Sequence, residues 1–348
     1  MKMMKNYYDS VRSERQLKSL TGLGKPEFER LLQAFSDSLK EISDEEYRRN
    51  RKKRYQSPGG RKGQLSTPEN KLFFILFYLK NYPTFDVLGY FFDLNHSKAE
   101  VNVKKLLPVL KRAQSKINLL PRRILKAGDE LEEALETVGT LDKKPDSPTV
   151  SPETSQTTKK IKETKTTEQL TEPVVLIDVT ERPQSDHNNN AKQKKHYSGK
   201  QKRHTVKNTI VSDSERRVIF WGRTFAGSTH DYKMFQKEFS PSKAWFSNIS
   251  VCVVLGYQGI KKDYSSAQNI HIPNKKPKKS YVNPNPSLTR GQKAENKKIG
   301  SKRVVVEHAI GGMKAFHILS TTFRNRCKNM ANEVIFHVAG LWNLKILC

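Results

Sequence analysis

The residue with the clearest capacity for chemistry is Asp178. It follows four apolar residues at 174–177, three of them β-branched, and this pattern predicts a buried strand that delivers a carboxylate to the edge of a sheet. A carboxylate is costly to bury unless it is paired or holds a metal ion. Taken alone, however, Asp178 could simply end a strand beside a turn.

A second carboxylate, Glu307, lies in a segment that predicts a helix. Arg303 precedes it by four residues and Lys314 follows it by seven, and at about 100° per residue these spacings bring the three charged groups to one face. One carboxylate from a strand and one from a helix can assemble a two-metal site for phosphoryl transfer. The alternative is that Arg303 and Lys314 are surface partners of Glu307 in ion pairs.

The composition points to a polyanionic partner. Lys plus Arg number 64 against 35 Asp plus Glu among 348 residues, a formal net charge of +29. Such an excess favours nucleic acid first and a membrane surface second. The longest apolar run, residues 72–79, is too short to span a bilayer, the first residues lack a secretory signal, and three scattered cysteines form no disulfide framework. These features predict a cytoplasmic, nucleoid-associated protein that does not enter a membrane.

The chain divides into four segments by composition. They are predicted to be a helical preamble with a basic arm (1–64), a domain of three helices (65–127), a disordered polar linker with a short helix near 131–138 (128–171), and a second domain (172–348). The basic run at 48–54 is either a solvated loop or an arm that contacts phosphates.

The three predicted helices of residues 65–127 resemble a helix-turn-helix. The first begins near Ser66, the second runs from Thr84 to about residue 92, and Ser97 opens the third after a tight turn. The residues of the third helix predicted to face DNA are Lys98, Asn102, Lys104 and Lys105. Glu100 would repel phosphates from the same surface, and an ordinary packing unit of three helices is the alternative.

The second domain has a readable order of elements. Three strands, a helix, a further strand and then helices predict a ribonuclease-H-like α/β fold with a mixed sheet, preceded by the all-α helix-turn-helix domain. Between the first two strands, the basic stretch 192–203 is predicted to be a loop that follows a DNA backbone, with a solvated charge run as the alternative. Its candidate DNA contacts are Lys195, Lys200, Lys202 and Arg203.

Several motifs occur in order along the chain. They are Asp178-x-Thr-Glu181-Arg-Pro, Tyr197-Ser-Gly-Lys-x-x-Arg-His-Thr205, Gly227-Ser-Thr-His-Asp231, Leu255-Gly-Tyr-Gln-Gly-Ile260 and Arg303-x-x-x-Glu307 followed by Lys314. Together they resemble the DDE transposases of bacterial insertion sequences, in the Harbinger-like group. Residues 79–89 are similar to the helix-turn-helix region of that family.

This resemblance implies a function. A protein of this kind binds the terminal inverted repeats of its own element and target DNA as double strands, cleaves the ends and performs strand transfer, with a homodimer expected to bring two ends together. It implies two divalent ions, Mg²⁺ foremost and Mn²⁺ second, held by Asp178 and Glu307 as catalytic carboxylates. Arg303 and Lys314 would contact DNA phosphates.

One position departs from the family pattern. Aligned on Leu255-Gly-Tyr, the expected second aspartate is Val254, which cannot coordinate a metal. Asp231, in the first turn of a predicted helix, is a candidate replacement as a catalytic metal ligand, although an acid there could equally stabilise the helix N-terminus. The alternative function is therefore a catalytically inactive DNA-binding remnant or a repressor of a related element. A third is an unrelated basic nuclease or RNA-binding protein.

Overall fold

A computed structural model describes residues 7–51, 63–139, 173–185, 189–267, 269–281, 283–325 and 330–348. Most of the basic arm and the predicted linker from residue 140 onward lie outside these ranges.

The first part of the chain is helical. Its helices are α1 (Glu14–Thr21), α2 (Lys25–Arg51), α3 (Pro68–Asn81), α4 (Phe85–Phe91), α5 (His96–Lys116) and α6 (Gly128–Thr137). The second part combines helices with a sheet. Its strands are β1 (Val174–Pro183), β2 (Tyr197–Ser198), β3 (Arg203–Asp213), β4 (Val218–Trp221), β5 (Phe225–Ala226), β6 (Ser250–Cys252) and β7 (Ile270–His271). Its helices are α7 (Asn190–His196), α8 (Asp231–Glu238), α9 (Ile260–Asp263), α10 (Arg290–Lys314), α11 (His317–Ser320) and α12 (Met330–Leu347), with a 3₁₀ turn at Leu255–Tyr257.

The helix-turn-helix prediction is confirmed, with small shifts at the caps. The N-cap of α3 is Thr67, whose side chain accepts the N–H of Asn70, and α5 begins two residues early because the Asn95 side chain accepts from the Lys98 N–H. The turn between α4 and α5 packs closely against α4. A Cβ on Gly89 would lie 2.4 Å from the Leu94 carbonyl oxygen, so this turn requires glycine.

The sheet has the mixed topology expected for a ribonuclease-H-like fold. Its spatial order is β2-β3-β1-β6-β7, with β4 and β5 also paired to β3. β1 is antiparallel to β3 and parallel to β6, and β6 is parallel to β7. Apolar, β-branched side chains of β1 alternate between the two buried faces, which explains why the run 174–177 reads as continuously apolar.

Two hydrophobic clusters cover the two faces of the sheet. One contains Leu176, Ile210 and Trp221 together with side chains of α1–α5, α10 and α12. The other contains Ile177 and Val211 together with side chains of α6 and α8. The preamble, the helix-turn-helix and one face of the sheet therefore share a core, which composition alone did not suggest.

Three sequence predictions need correction. β1 does not end at Asp178 but continues to Pro183, because it stays paired with β3 as far as Thr205. The short helix predicted near 131–138 is present as α6, but its Leu131 and Ala134 are fully buried in the core on one face of the sheet, so this part of the predicted linker is packed and not disordered. The predicted basic loop at 192–203 is instead α7, β2 and the start of β3, since β2 pairs with β3. Within the described ranges, no helix is both long and apolar enough to cross a bilayer.

Two adjacent glycines in α10 test how α10 packs on α12. A Cβ on Gly312 would lie 1.8 Å from the Trp342 ring, whereas a Cβ on Gly311 would meet no heavy atom within 4 Å. Gly312→Ala is expected to lower the free energy of unfolding by about 1–3 kcal/mol or more through overpacking. Gly311→Ala should raise it by up to about 1 kcal/mol, because alanine favours a helix. Denaturant unfolding of both variants checks this, and equal effects would contradict the α10–α12 contact.

Candidate active site and nucleic-acid interface

Asp178 is a partly buried carboxylate in the middle of β1. One of its oxygens accepts the N–H of Val179 at 2.7 Å. Burial raises the pKa of Asp178 and is the largest influence; the negative charges of Glu307 and Asp231 add to the rise, while the Val179 N–H and the Arg303 guanidinium oppose it. The electrostatic coupling places both other predicted carboxylates in the neighbourhood of Asp178.

Val254 follows β6 just as Asp178 follows the last residue of β1 that pairs with β6. β1 and β6 run parallel, their last pair is Leu176 with Cys252, and Asp178 and Val254 each lie two residues beyond it. The backbone of Val254 remains extended, with φ −80° and ψ 161°. The position that the family pattern assigns to the second aspartate is therefore filled by an apolar side chain.

Glu307 lies on the exposed side of α10, which packs on β1 and β3. Its carboxylate accepts a hydrogen bond from the Arg303 guanidinium, with Nη2 and Oε1 separated by 2.9 Å. Arg303 is therefore an ion-pair partner of Glu307, which was the alternative to a contact between Arg303 and DNA. Lys314 is different: burial lowers the pKa of Lys314, whereas the carboxylates of Glu181 and Asp178 raise it, so its ammonium group lies towards the strand side of the site.

Asp231 is the first residue of α8, with His230 as the N-cap. Its carboxylate forms an ion pair with Lys207 of β3, with 3.0 Å between Nζ and Oδ1, and the same ammonium group donates to the Thr229 carbonyl. Sequence reasoning missed Lys207. A lysine within an otherwise mostly uncharged strand was the available signal, because a charge in such a position needs a partner.

The side chains of this neighbourhood do not fit a two-metal centre. Among the described residues, no three His, Cys, Asp or Glu side chains come together closely enough to hold a metal ion. The carboxylates of Asp231 and Glu307 each have a protein cation as partner, and the adjacent position is Val254. The hydroxyl of Tyr257, near Asp178 and Asp231, is buried without a hydrogen-bond partner, so a further polar group is left unpaired here.

Basic side chains border the site on the side of β2. Those of Lys195, Lys200, Lys202 and Arg203 are exposed. The positive charges of Lys200 and Arg203 help to lower the pKa of Lys314, after the larger effect of burial. The structure thus brings part of the predicted basic stretch close to Lys314.

The exposed face of α5 carries the residues predicted for DNA contact. Lys98, Lys104 and Lys105 are exposed and Asn102 is partly so. The ammonium group of Lys104 lies 2.7 Å from the carboxylate of Glu100, and the Asn102 side chain donates to the Lys98 carbonyl at 2.8 Å. Sequence reasoning overlooked Val101, which is 47% exposed between these polar groups.

Replacing Asp178 by Asn should reveal the cost of its burial. The folded protein keeps the Asp178 proton at pH values where the unfolded chain, with a pKa near 3.9, has released it. The free energy of unfolding therefore decreases as the pH rises from about 3.9, the pKa in the unfolded chain, to the raised pKa of the folded protein. Asp178→Asn is expected to raise the Tm at pH 7 by about 1–3 °C and to make little difference below pH 4.

Thermal unfolding at both pH values measures this effect. Asp37→Asn, which removes one negative charge from the exposed side of α2, corrects for the change in net charge. A variant less stable than the wild type at pH 7, but not at pH 4, would contradict the desolvation of Asp178.

Comparison with known proteins supports this arrangement. Residues 176–343 match the family described as DDE superfamily endonuclease, and residues 63–114 match the helix-turn-helix of DDE superfamily endonuclease. A probable transposase for insertion sequence element IS702 from Microchaete diplosiphon is 32% identical over 176 residues, which cover 50% of this chain and 58% of that protein. No solved structure matches the chain.

The matched descriptions do not mention a Harbinger-like group, so that narrower assignment stays a prediction. Endonucleases of the matched family use divalent metal ions. The two matched segments contain the helix-turn-helix and the strands and helices that carry Asp178, Val254 and Glu307. Residues 176–343 therefore match a DDE superfamily endonuclease domain, and residues 63–114 match the helix-turn-helix of the same superfamily.

Proposed function

We propose that this protein is a transposase that binds the terminal inverted repeats of a mobile element, and that its DNA cleavage and strand transfer are impaired by Val254. The observation that carries the proposal is Val254 at the position of the expected second aspartate, two residues beyond the last pair of β1 and β6, as Asp178 is on β1. Valine offers no oxygen ligand, so the set of carboxylates that would hold divalent ions is incomplete.

The remaining residues suit the handling of DNA. Asp178 and Glu307 are our proposed catalytic and metal-binding carboxylates, with Asp231 as a third candidate. To bind a metal ion, Glu307 and Asp231 would have to give up their ion pairs with Arg303 and Lys207. Lys314 and Arg303 bring positive charge to the same place, where they would hold a phosphate of the DNA backbone near Asp178. For a restored aspartate pair we propose Mg²⁺, with Mn²⁺ as second choice, because hard cations prefer carboxylate oxygens.

A second candidate function is a DNA-binding protein without nuclease activity, which occupies terminal repeats or represses an active relative. Two ion pairs favour it, since Lys207 and Arg303 neutralise carboxylates that a metal would otherwise require. In both proposals, α5 contacts the repeat and a homodimer holds two DNA ends together. We therefore expect the protein on the nucleoid.

Restoring the missing carboxylate tests the first proposal. Val254→Asp should produce Mg²⁺-dependent nicking of duplexes taken from the DNA that flanks the reading frame, at least about tenfold faster than the wild type, since a second ligand is added next to Asp178. Val254→Asn is the matched control, because it has the shape of aspartate without its charge. Adding Asp178→Ala to Val254→Asp should abolish the gain.

The outcomes separate the two candidates. If Val254→Asp cleaves no faster than Val254→Asn with any divalent ion, while the wild type still binds terminal repeats, the binding-only candidate replaces the first. Efficient cleavage by the wild type would overturn the proposed impairment. A wild type with no preference for terminal repeats would overturn both.

Variants of α5 test the recognition of the repeat. Asn102→Ala should reduce the preference for terminal repeats over scrambled DNA about fivefold or more, because an asparagine can read adenine through two hydrogen bonds. Lys98→Ala combined with Lys105→Ala should weaken binding to both DNAs alike, since lysines without base contacts bind phosphates. Lys116→Ala is the matched control on the same helix, because its ammonium group is bonded to Glu41 at 2.6 Å. Fluorescence anisotropy measures all three, and a loss of preference in Lys116→Ala would argue against α5 as the reading helix.

A further inference from the structure

The segment between β7 and α10, residues 273–289, is a second concentration of positive charge, distinct from α5 and from the basic side chains near β2. We call it the lysine strap. It contains no Asp or Glu, and its four lysines, all exposed, are Lys275, Lys276, Lys278 and Lys279. Prolines at 273, 277, 284 and 286 restrict its backbone, so part of the ordering cost of presenting these lysines is already met.

Both ends of the lysine strap are held on α10. The N–H of Asn274 donates to the Asn296 side chain at 2.7 Å, and the Asn296 amide donates back to the Asn274 carbonyl at 3.0 Å. The Asn274 side chain also donates to Glu295 at 2.6 Å. At the other end, Thr289 and Gln292 form a capping box. The lysines therefore lie on a loop with defined ends and are not spread along a free chain.

Tyr281, in the middle of the lysine strap, is fully exposed. Burial therefore does not explain an aromatic residue at this position. A tyrosine hydroxyl can donate to a phosphate oxygen, and it is among the side chains that contact DNA backbones.

The neighbouring surface of α10 has the same charge. Arg290, Lys293 and Lys297 follow one another at steps of three and four residues and are exposed, so they form one stripe. The first turn of α10 contains no acidic residue. Cations near a helix N-terminus are unfavourable for the helix, because they face the positive end of its dipole. Stability of the helix therefore does not explain this placement, whereas binding of an anion does.

We propose that the lysine strap and the stripe of Arg290, Lys293 and Lys297 form a binding surface for the phosphate backbone of double-stranded DNA, without sequence preference. The inference rests on the proposed function, since it assumes that DNA passes the site near Asp178. Asn296 and Glu307 are eleven residues apart on α10, which corresponds to about 16 Å. A duplex that lies along α10 would thus meet the lysine strap about five base pairs from the site.

The test removes the charge of the lysine strap from the full-length protein. The variant carries Lys275→Gln, Lys276→Gln, Lys278→Gln and Lys279→Gln, and its binding to a random-sequence duplex is measured from 50 to 300 mM salt. Each lost phosphate contact reduces the magnitude of the negative slope of log K against log salt by about 0.9. The magnitude should therefore decrease by about two to three and a half, equally for scrambled and terminal-repeat duplexes.

A matched control separates a local contact from a change in overall charge. It carries Lys18→Gln, Lys25→Gln, Arg30→Gln and Lys40→Gln on α1 and α2, which remove the same number of positive charges. This control should lose no more than about one unit of slope. Tyr281→Phe, which removes only the hydroxyl, should weaken binding by about two- to fivefold.

Equal slopes for the strap variant and the wild type would overturn the inference, as would an equal loss in the control. The inference would also be overturned if the loss of the four lysines weakened binding to single-stranded RNA more than binding to duplex DNA. The partner of this surface would then be RNA. Failure of the inference alone leaves binding to terminal repeats by α5 intact. Absence of any DNA binding by the wild type would overturn the proposed function as well.

Discussion

The burial of the Asp178 carboxylate is the constraint on which the site depends. β1 continues past Asp178 as a strand paired with β3, so this partly buried side chain lies within the sheet, and burial is the largest influence that raises its pKa. A charge in such surroundings needs compensation from fixed dipoles, cations or a metal ion. In this chain, the Val179 N–H and Arg303 supply part of it, whereas the adjacent Val254 supplies none. Around it, protein cations pair with the carboxylates of Asp231 and Glu307.

The shared core links this site to the helix-turn-helix. Side chains of α3 and α5 pack in the same hydrophobic cluster as Val306 and Met313 of α10, the helix that carries Glu307. Polar contacts reinforce the connection: the Lys80 ammonium group donates to the Ala315 carbonyl, and Gln114 pairs with the buried His337. α5 and α10 are therefore joined through one continuous core.

The positive charge of the protein is organised by surface. The formal net charge of +29 would oppose folding if it were spread evenly over a compact body. Within the described residues, three clusters of positive charge lie on α5, on the segment before and within β3, and on the lysine strap with α10. The basic side chains of each cluster project from a helix, from a strand or from a loop whose two ends are fixed on α10. Such surfaces suit an extended polyanion better than a small ligand, because a small ligand would engage only one of them.

Local sequence patterns determined the elements of this protein. The β-branched run before Asp178, the turn between α4 and α5, the acidic start of α8 and the spacing of Arg303 and Glu307 each depend on neighbours within one turn or strand, and the structure contains them all. Cap positions shifted by one or two residues because several side chains near each helix start could accept the same N–H groups.

Tertiary structure decided which of these elements pair and pack against one another. The continuation of β1 beyond Asp178 depends on its pairing with β3, and α6 is a packed helix only because the sheet offers an apolar face to Leu131 and Ala134. The ion pair of Lys207 with Asp231 joins residues 24 positions apart. The parallel register of β1 and β6 pairs Leu176 with Cys252, 76 positions away in the sequence, and so brings the chain just before Val254 next to the strand of Asp178. Sequence motifs could suggest this neighbour by resemblance, but only strand pairing, a long-range contact, places it there.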